Sequence, residues 1–285
     1  MKLKNLVITG STGWISSEII HKYEKSFNES YNLYLINRDN YEKKLKDLTS
    51  KKINNIYLIH NAFIKPTNIE NTSLKDYKSN LSKLSNNILE FISKNDVKAI
   101  FYPSSGVVYK QRVFQNDFWD LYIDQKISDE KEFINISEKK NINLLILRIF
   151  TLLGRRHNKV SNALSSLIYS SIDDKEIKLT STNNHVHSFG LMENLVTSIF
   201  KVFESPKNQI RCFDFVDETM DIEEFSKLIS SNFNNIKIKK NFFDDKSSCY
   251  KYVGIEKDYI SFIREFDIET KSISYFLKTI NLTDF

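Results

Sequence analysis

Tyr122 and Lys126 stand four residues apart in the stretch LYIDQKISDEKEFINIS. On a helix that spacing puts both side chains on one face. A phenol is a poor base at its ordinary pKa of about 10. A neighbouring ammonium stabilises the phenolate and brings it toward working pH, so the pair can pass a proton to or from a carbonyl or an alcohol. Two hydroxyls, Ser104 and Ser105 in YPSSGVVY, precede Tyr122 by eighteen and seventeen residues. A serine there can hydrogen-bond the reacting oxygen. In a chain with 14 tyrosines the spacing alone says little. The placement says more, because YPSSGVVY follows a strand-like run, and open α/β sheets bind ligands beyond the carboxyl ends of their strands.

A second constellation lies at the start. VITGSTGWIS, from Val7 to Ser16, carries an apolar run into Gly10 and Gly13 and then into a helical pattern. Such a turn aims backbone N–H groups and a helix N-terminus at a phosphate. The third small position of the dinucleotide pattern, usually glycine, is Ser16. It lies where helix and strand pack, so the expected cost is looser packing rather than blocked phosphate access. One strand later comes Asn37-Arg38-Asp39. An acidic residue here binds a ribose 2′-hydroxyl and favours NAD, whereas an arginine accommodates a 2′-phosphate. Asn37 followed by Arg38 favours NADP, and Asp39 leaves NAD open.

Parallel strands and crossover helices must position these groups. Short apolar runs at Leu6-Ile8, Leu33-Ile36, Ile56-His60, Ala99-Ser104 and Leu144-Ile149 alternate with helical stretches at Ser16-Lys25, Leu74-Ser93 and around Tyr122. This pattern predicts an α/β, Rossmann-type doubly wound parallel sheet with helices on both faces. After Ile149 the alternation loosens. Helices are expected near Asn162-Ser171, Met192-Glu204 and Ser272-Thr279, and strands at Glu176-Thr180 and Ile210-Val216. Another helix should begin at Asp221, with Glu224 completing a capping box. We expect a dinucleotide-binding domain over 1–150, with 187–217 returning to it, and a smaller C-terminal α/β substrate lobe from 151–186 and 218–285.

Composition narrows the classes. The net charge of +5 is spread along the chain, with no basic block interleaved with aromatics, which argues against nucleic acid as a partner. No apolar run approaches the roughly 18 residues of a membrane span. The N-terminus enters a strand and a glycine turn too soon for a signal peptide. Two cysteines, Cys212 and Cys249, suit a reducing cytoplasm better than a disulfide framework. His185 and His187 lack a third ligand, so no metal site is expected. His60 is expected to be structural.

Together these segments resemble the extended short-chain dehydrogenase/reductase family, in its nucleotide-sugar epimerase, dehydratase and reductase branch. The likeness covers nearly the whole chain. TGSTGWIS looks like the family's glycine loop, IHNAF (Ile59-Phe63) like the segment after its fourth strand, and Asn80 like its helix asparagine. SSGVVY and YIDQK look like its serine strand and its Tyr-x-x-x-Lys helix. LRIFTLLGRR resembles the run that begins its substrate lobe, HSFGLMENL its re-entry segment and YVGIEKDY its late substrate-lobe segment. The resemblance implies that Tyr122 is the acid/base, that Lys126 lowers its pKa and holds the nicotinamide ribose, and that Ser105 rather than Ser104 orients the sugar oxygen. It implies Gly10, Thr12, Gly13, Trp14, Ile15, Asn37, Arg38, Asn61, Ala62, Tyr122 and Lys126 around the cofactor. It implies Ser105, Gly106, Arg155, Asn162 and His187 around a nucleotide-linked sugar.

The implied activity is a 4-keto-sugar reductase or a 4-epimerase of surface-polysaccharide sugar synthesis, using NADP or NAD and working as a cytoplasmic homodimer. Departures from the family's pattern bear on the substrate. The gap from Ser105 to Tyr122 is short, His187 stands where an arginine is frequent, and Asn194 replaces an aspartate. Gly106-Val107 stands where 4,6-dehydratases carry Asp-Glu, which argues against dehydration. A non-catalytic nucleotide-binding regulator on the same fold is the competing reading. Retention of Ser105, Tyr122 and Lys126 together argues against it.

Overall fold

The computed structural model describes residues 4–68, 72–110, 116–155, 167–168, 171, 175–179, 185–205, 208–233, 236–240 and 251–280. In chain order the elements are β1 (Lys4–Thr9), α1 (Trp14–Ser30), β2 (Tyr31–Ile36), α2 (Tyr41–Ser50), β3 (Ile56–His60), α3 (Leu74–Lys94), β4 (Val97–Ser105), α4 (Asp117–Lys140), β5 (Asn143–Ile149), β6 (Thr151–Leu153) and β7 (Glu176–Leu179). Then follow β8 (Val186–Leu191), α5 (Met192–Glu204), β9 (Ile210–Phe215), β10 (Glu218–Asp221), α6 (Ile222–Asn232), β11 (Lys237–Lys240), β12 (Lys251–Tyr252), α7 (Glu256–Glu265) and α8 (Ile273–Thr279). Short 3-10 turns occupy Pro66–Asn68 and Gly106–Tyr109.

The chain divides into two compact units. The first comprises Met1–Arg148 and Ile199–Phe213, and the second Ile149–Ser198 and Asp214–Phe285. The first is built on a six-stranded sheet of order β2-β1-β3-β4-β5-β9. The pairs β1–β2, β1–β3 and β3–β4 are parallel. Leu6, Val7 and Ile8 are fully buried, as are Leu144 to Leu147. That is why these strands read as unbroken apolar runs: a parallel sheet is covered on both faces. Each such side chain contributes roughly 1.5–3 kcal/mol on burial. The order reverses at β1, with β2 on one side and β3 on the other. The crevice beyond their carboxyl ends is where open α/β sheets take ligands.

Two helices matter most for the site. α3 starts at Ser73, whose hydroxyl accepts the Asp76 N–H at 3.1 Å. It buries Tyr77, Leu81, Ser85, Ile88, Phe91 and Ile92, a helical stripe. α4 starts at Asn116, whose side chain accepts the Phe118 N–H at 2.8 Å. Asp117 and Asp120 lie in its first turn and Lys139 and Lys140 in its last, as the helix dipole favours. It stops at Asn141, a left-handed cap with φ +56°.

In the second unit, β8 pairs antiparallel with β10 and parallel with β6 and β12, and β7 pairs parallel with β11. The core gathers Leu153, Ile177, Phe189, Phe225, Ile229, Ile273 and Leu277 among others. A Cβ at Gly190 would lie 2.3 Å from the Phe215 ring, so strand and ring meet only because that residue is glycine. α6 opens with the expected capping box: Asp221 accepts the Glu224 N–H at 2.7 Å, and Glu224 accepts the Asp221 N–H at 3.2 Å. The segment returning to the first unit, Ile199–Phe213, is shorter than the 187–217 read from sequence. The reason is β8, which pairs within the second unit's sheet. The helix expected near Asn162-Ser171 lies mostly outside the described residues, as does Cys249. Among the described residues no helix is long and apolar enough to cross a membrane.

Candidate active site

The turn after β1 is built as phosphate-binding turns must be. Gly10 has φ +64°, and a Cβ there would lie 2.7 Å from the backbone of Asn61 and Ala62. Both the backbone angle and the close pass of the β3 loop therefore require glycine. The Ser11 N–H donates to the Ile36 carbonyl at 3.1 Å, and the Gly13 N–H to the Gly10 carbonyl at 2.9 Å. α1 then begins, with the Ser17 N–H donating to the Gly13 carbonyl at 2.9 Å. Thr12 and Gly13 are exposed, and Trp14 and Ile15 half-buried. The first N–H groups of a helix have no partner within it, and its dipole favours an anion there.

Ser16 is completely buried, and its hydroxyl accepts the Asn61 amide N–H at 2.8 Å. The position read from sequence as a packing concession is a hydrogen bond tying α1 to the loop after β3. The Asn61 backbone N–H continues the ladder to the Thr9 carbonyl at 3.2 Å. Its side-chain oxygen is buried, with no hydrogen-bond partner among the described residues. At the end of β2, the Asn37 N–H donates to the Asn40 side chain at 3.0 Å and the Asn40 N–H to the Asn37 side chain at 3.1 Å. Arg38 and Asp39 are exposed. A glycine cradle, a helix N-terminus and a strand end without a carboxylate at its last position fit a dinucleotide.

The proton-transfer candidates gather around the loop after β3 and the end of β4. Tyr122 and Lys126 are both buried on one face of α4. Phe63 touches both: its ring meets Tyr122 edge-on at 5.0 Å, and the Lys126 ammonium lies 4.0 Å from its centroid. Lys126 Nζ donates to the Pro103 carbonyl at 2.8 Å, two residues before Ser105. Burial pulls Lys126 down to about 7, against the pull of Asp129 and then Glu130, with Lys65 adding to the fall. Trp119 also meets the Tyr122 ring edge-on, at 5.5 Å.

The two serines differ in employment. Ser104 is buried and donates to Glu130 at 2.5 Å. Arg148 grips the same carboxylate with Nε at 3.0 and 3.2 Å and Nη2 at 2.7 Å. Among the described residues Ser105 accepts only a long bond from the Val107 N–H, at 3.4 Å, as it opens the 3-10 turn that contains Gly106. Ser104 is thus a structural hydroxyl, and Ser105 is the one with capacity to spare.

His60 shares a 2.7 Å hydrogen bond with Thr9 and stacks on Tyr102. Burial holds it at about 3, so it is neutral at ordinary pH. Asn80 is exposed on α3. Among the described residues no group of three metal-ligating side chains occurs.

The remaining expected residues lie in the second unit. Arg155 donates to the Thr279 carbonyl at 3.1 Å. His187 sits in β8 with its ring near Phe189 and Tyr252. Asn162 lies outside the described residues. Asn194 is buried and donates to Asp217 at 2.8 Å and to the Lys271 carbonyl at 2.9 Å. Sequence reasoning missed Phe63, Asp129 and Glu130. The carboxylates left a signal: positions three and four after Lys126 share its buried face.

Solved structures of the same fold include UDP-N-acetylglucosamine 4-epimerase from Methanobrevibacter ruminantium M1, in complex with UDP-N-acetylmuramic acid. It is 18% identical, with a TM-score of 0.74 over 98% of this chain and 97% of that one. UDP-glucuronic acid 4-epimerase from Bacillus cereus, a point mutant with a fluorinated UDP-sugar and NAD, is 19% identical with a TM-score of 0.68, covering 96% of each chain. A monomeric L-threonine 3-dehydrogenase from a metagenome is 15% identical with a TM-score of 0.70, over 96% of this chain and 97% of that one. No curated protein sequence matches. Residues 6–212, from the strand before the glycine turn to the returning segment, match the model of the NAD-dependent epimerase/dehydratase family, and the chain belongs to that family.

Proposed function

We propose that this protein is an NAD(P)-dependent enzyme that acts on a nucleotide-linked sugar, as a 4-keto-sugar reductase or a 4-epimerase. One observation carries the reading. The loop that passes over Gly10 at Asn61 and Ala62 continues into Phe63, which touches both Tyr122 and Lys126. A nucleotide-binding turn and a proton-transfer pair are therefore neighbours in one unit. The bound nicotinamide supplies or takes up the hydride. Tyr122 gives the proton to, or takes it from, the sugar oxygen. Lys126 stabilises the phenolate in its charged form, and the Ser105 hydroxyl bonds the same sugar oxygen. Gly106 and Val107 are buried in the turn after Ser105, with no carboxylate there to remove a second proton. This supports reduction or epimerisation over dehydration.

The end of β2 supports NADP as the preferred form. The Asn37 side-chain oxygen is committed to the Asn40 N–H, which leaves its amide protons as donors, and Arg38 is exposed beside it. Neither repels a 2′-phosphate. Arg38→Ala should weaken NADPH roughly tenfold and leave NADH nearly unchanged.

The deciding experiment has two stages. Mass spectrometry identifies any nucleotide retained by the purified protein. Absorbance at 340 nm is then followed with NADPH and nucleotide-linked 4-keto sugars, and nucleotide-linked 4-hydroxy sugars are incubated separately without added dinucleotide. Steady NADPH oxidation supports the reductase. Retained NAD, with epimerised product and no net absorbance change, supports the epimerase. Failure to bind either dinucleotide refutes both.

A further inference from the structure

α4 turns two opposite charges toward the interior, one helical turn apart. Lys126 is 3% exposed and Asp129 2%. Residues three apart on a helix are neighbours on one face. Among the described residues, neither forms a direct ion pair. Among the described residues Lys126 Nζ bonds only the Pro103 carbonyl, and it lies 4.0 and 4.4 Å from the ring centroids of Phe63 and Tyr102. Asp129 accepts from three uncharged donors: the Ser85 hydroxyl at 2.7 Å, the Gln125 amide at 2.8 Å and the Tyr102 hydroxyl at 2.8 Å. Tyr102 thus touches both charges, its ring face toward the ammonium and its hydroxyl on the carboxylate.

Glu130, the next residue, is placed differently. Arg148 holds its carboxylate with two nitrogens, so its charge is already balanced. The unbalanced charges are those of Asp129 and Lys126. A lone buried ion tends to neutralise itself, and two lone ions of opposite sign relieve each other over longer distances than in water.

We propose that Asp129 is the counter-ion of Lys126, a positioning residue that keeps the ammonium charged one helical turn from Tyr122. Its consequence for catalysis rests on the assignment of Tyr122 and Lys126 made above. A neutral amine would give a Tyr122 phenolate no stabilisation. The surroundings agree in direction. Burial and Lys65 pull the ammonium toward neutrality, and Asp129 leads Glu130 among the groups opposing them. The other titratable groups facing Lys126 add no charge. His60 is neutral, burial pushes the Tyr102 hydroxyl well above the ordinary phenol range, and Tyr122 is the group to be served.

The test is a lysine titration by NMR on the full chain labelled with 13C at lysine Cε. The Lys126 signal is assigned by its loss in Lys126→Met. In Asp129→Asn the ammonium-to-amine ratio of Lys126 should fall about tenfold at any given pH. Ser85→Ala removes a neutral donor and no charge, and should leave that ratio nearly unchanged. A titration unmoved in Asp129→Asn, or moved as far by Ser85→Ala, overturns the proposal. Should Asp129→Asn not fold, Asp129→Ser takes its place on the same labelled lysines. The Lys126 ammonium-to-amine ratio should fall there too, and an unmoved Lys126 titration overturns the proposal equally. The titration needs neither substrate nor dinucleotide, so its failure and failure of the proposed activity are separate results.

Discussion

Asp129 in the first unit and Asp217 in the second are each bonded by three uncharged donors. For Asp217 these are the Leu191 N–H at 2.7 Å, the Asn194 amide at 2.8 Å and the Tyr259 hydroxyl at 3.1 Å. The hydrogen bonding is alike, and the charge nearby is not. Asp129 lies one turn from a buried lysine. Asp217 is followed by Glu218, and burial with that neighbour pushes it up to about 6 despite its three donors. One carboxylate belongs to a charge pair beside a candidate proton-transfer residue. The other is a clamp joining β8, α5 and α7. Asn194, which stands where the family has aspartate, makes sense in that clamp. A carboxylate at that position would face Asp217 across 2.8 Å, and an amide donates to it instead.

The contrast breaks first at two tyrosines. Tyr122→Phe should lower turnover by roughly 10²- to 10⁴-fold and leave dinucleotide affinity nearly unchanged. Tyr259→Phe removes a hydroxyl from the Asp217 clamp, and should lower the melting temperature without comparable loss of turnover. Parallel rate and melting measurements check both. Equal rates for Tyr122→Phe and wild type would erase the distinction.

The two units should also respond oppositely to pH. Lys126 sits at about 7 in the folded chain, below an unfolded lysine at about 10.4. The folded state holds that proton less tightly. Its contribution is therefore fully present above about pH 10.4, and is lost as pH falls through 7, by several kcal/mol. In Lys126→Met the rise in stability between pH 7 and 10 should flatten. Asp217 runs the other way, at about 6 against about 3.9 unfolded. Its contribution is fully present below about pH 3.9 and is lost as pH rises through 6, by about 2–3 kcal/mol. Asp217→Asn should flatten the fall between pH 4 and 6. Denaturant unfolding at stepped pH reads both slopes.

The smallest effect tests the glycine turn. Ser16→Gly restores the family's usual residue but deletes the hydroxyl that accepts from Asn61. It should cost about 1 kcal/mol in urea unfolding. A stabilised variant would mean that the serine is only a packing concession.

The sheet strands β1, β3, β4 and β5 were legible because burial on both faces leaves unbroken apolar runs. So was α6, because a capping box is local. The strands β6, β8, β10 and β12 were not read as such. They are short, and their pairing joins distant segments, such as Thr151 with Phe189 and Lys251 with Val186. α2 was missed although Tyr41, Leu45 and Leu48 mark a buried helical stripe. At the site, the Tyr122–Lys126 pair was visible because its spacing is helical. Residue type left Ser104 and Ser105 alike and the family likeness favoured Ser105; the tertiary bond to Glu130 gives Ser104 its separate task. Phe63 reads as a loop residue until α4 is packed against it.

A dinucleotide bound at the glycine turn underlies every role proposed for Tyr122, Lys126 and Ser105. Isothermal titration with NADPH and NADH tests it most directly, on wild type, Tyr122→Phe and Gly10→Val. Wild type and Tyr122→Phe should bind saturably, and Gly10→Val, whose side chain would fill the space taken by Asn61 and Ala62, should not bind. Wild type that binds neither dinucleotide, or Gly10→Val that binds as well as wild type, would contradict it.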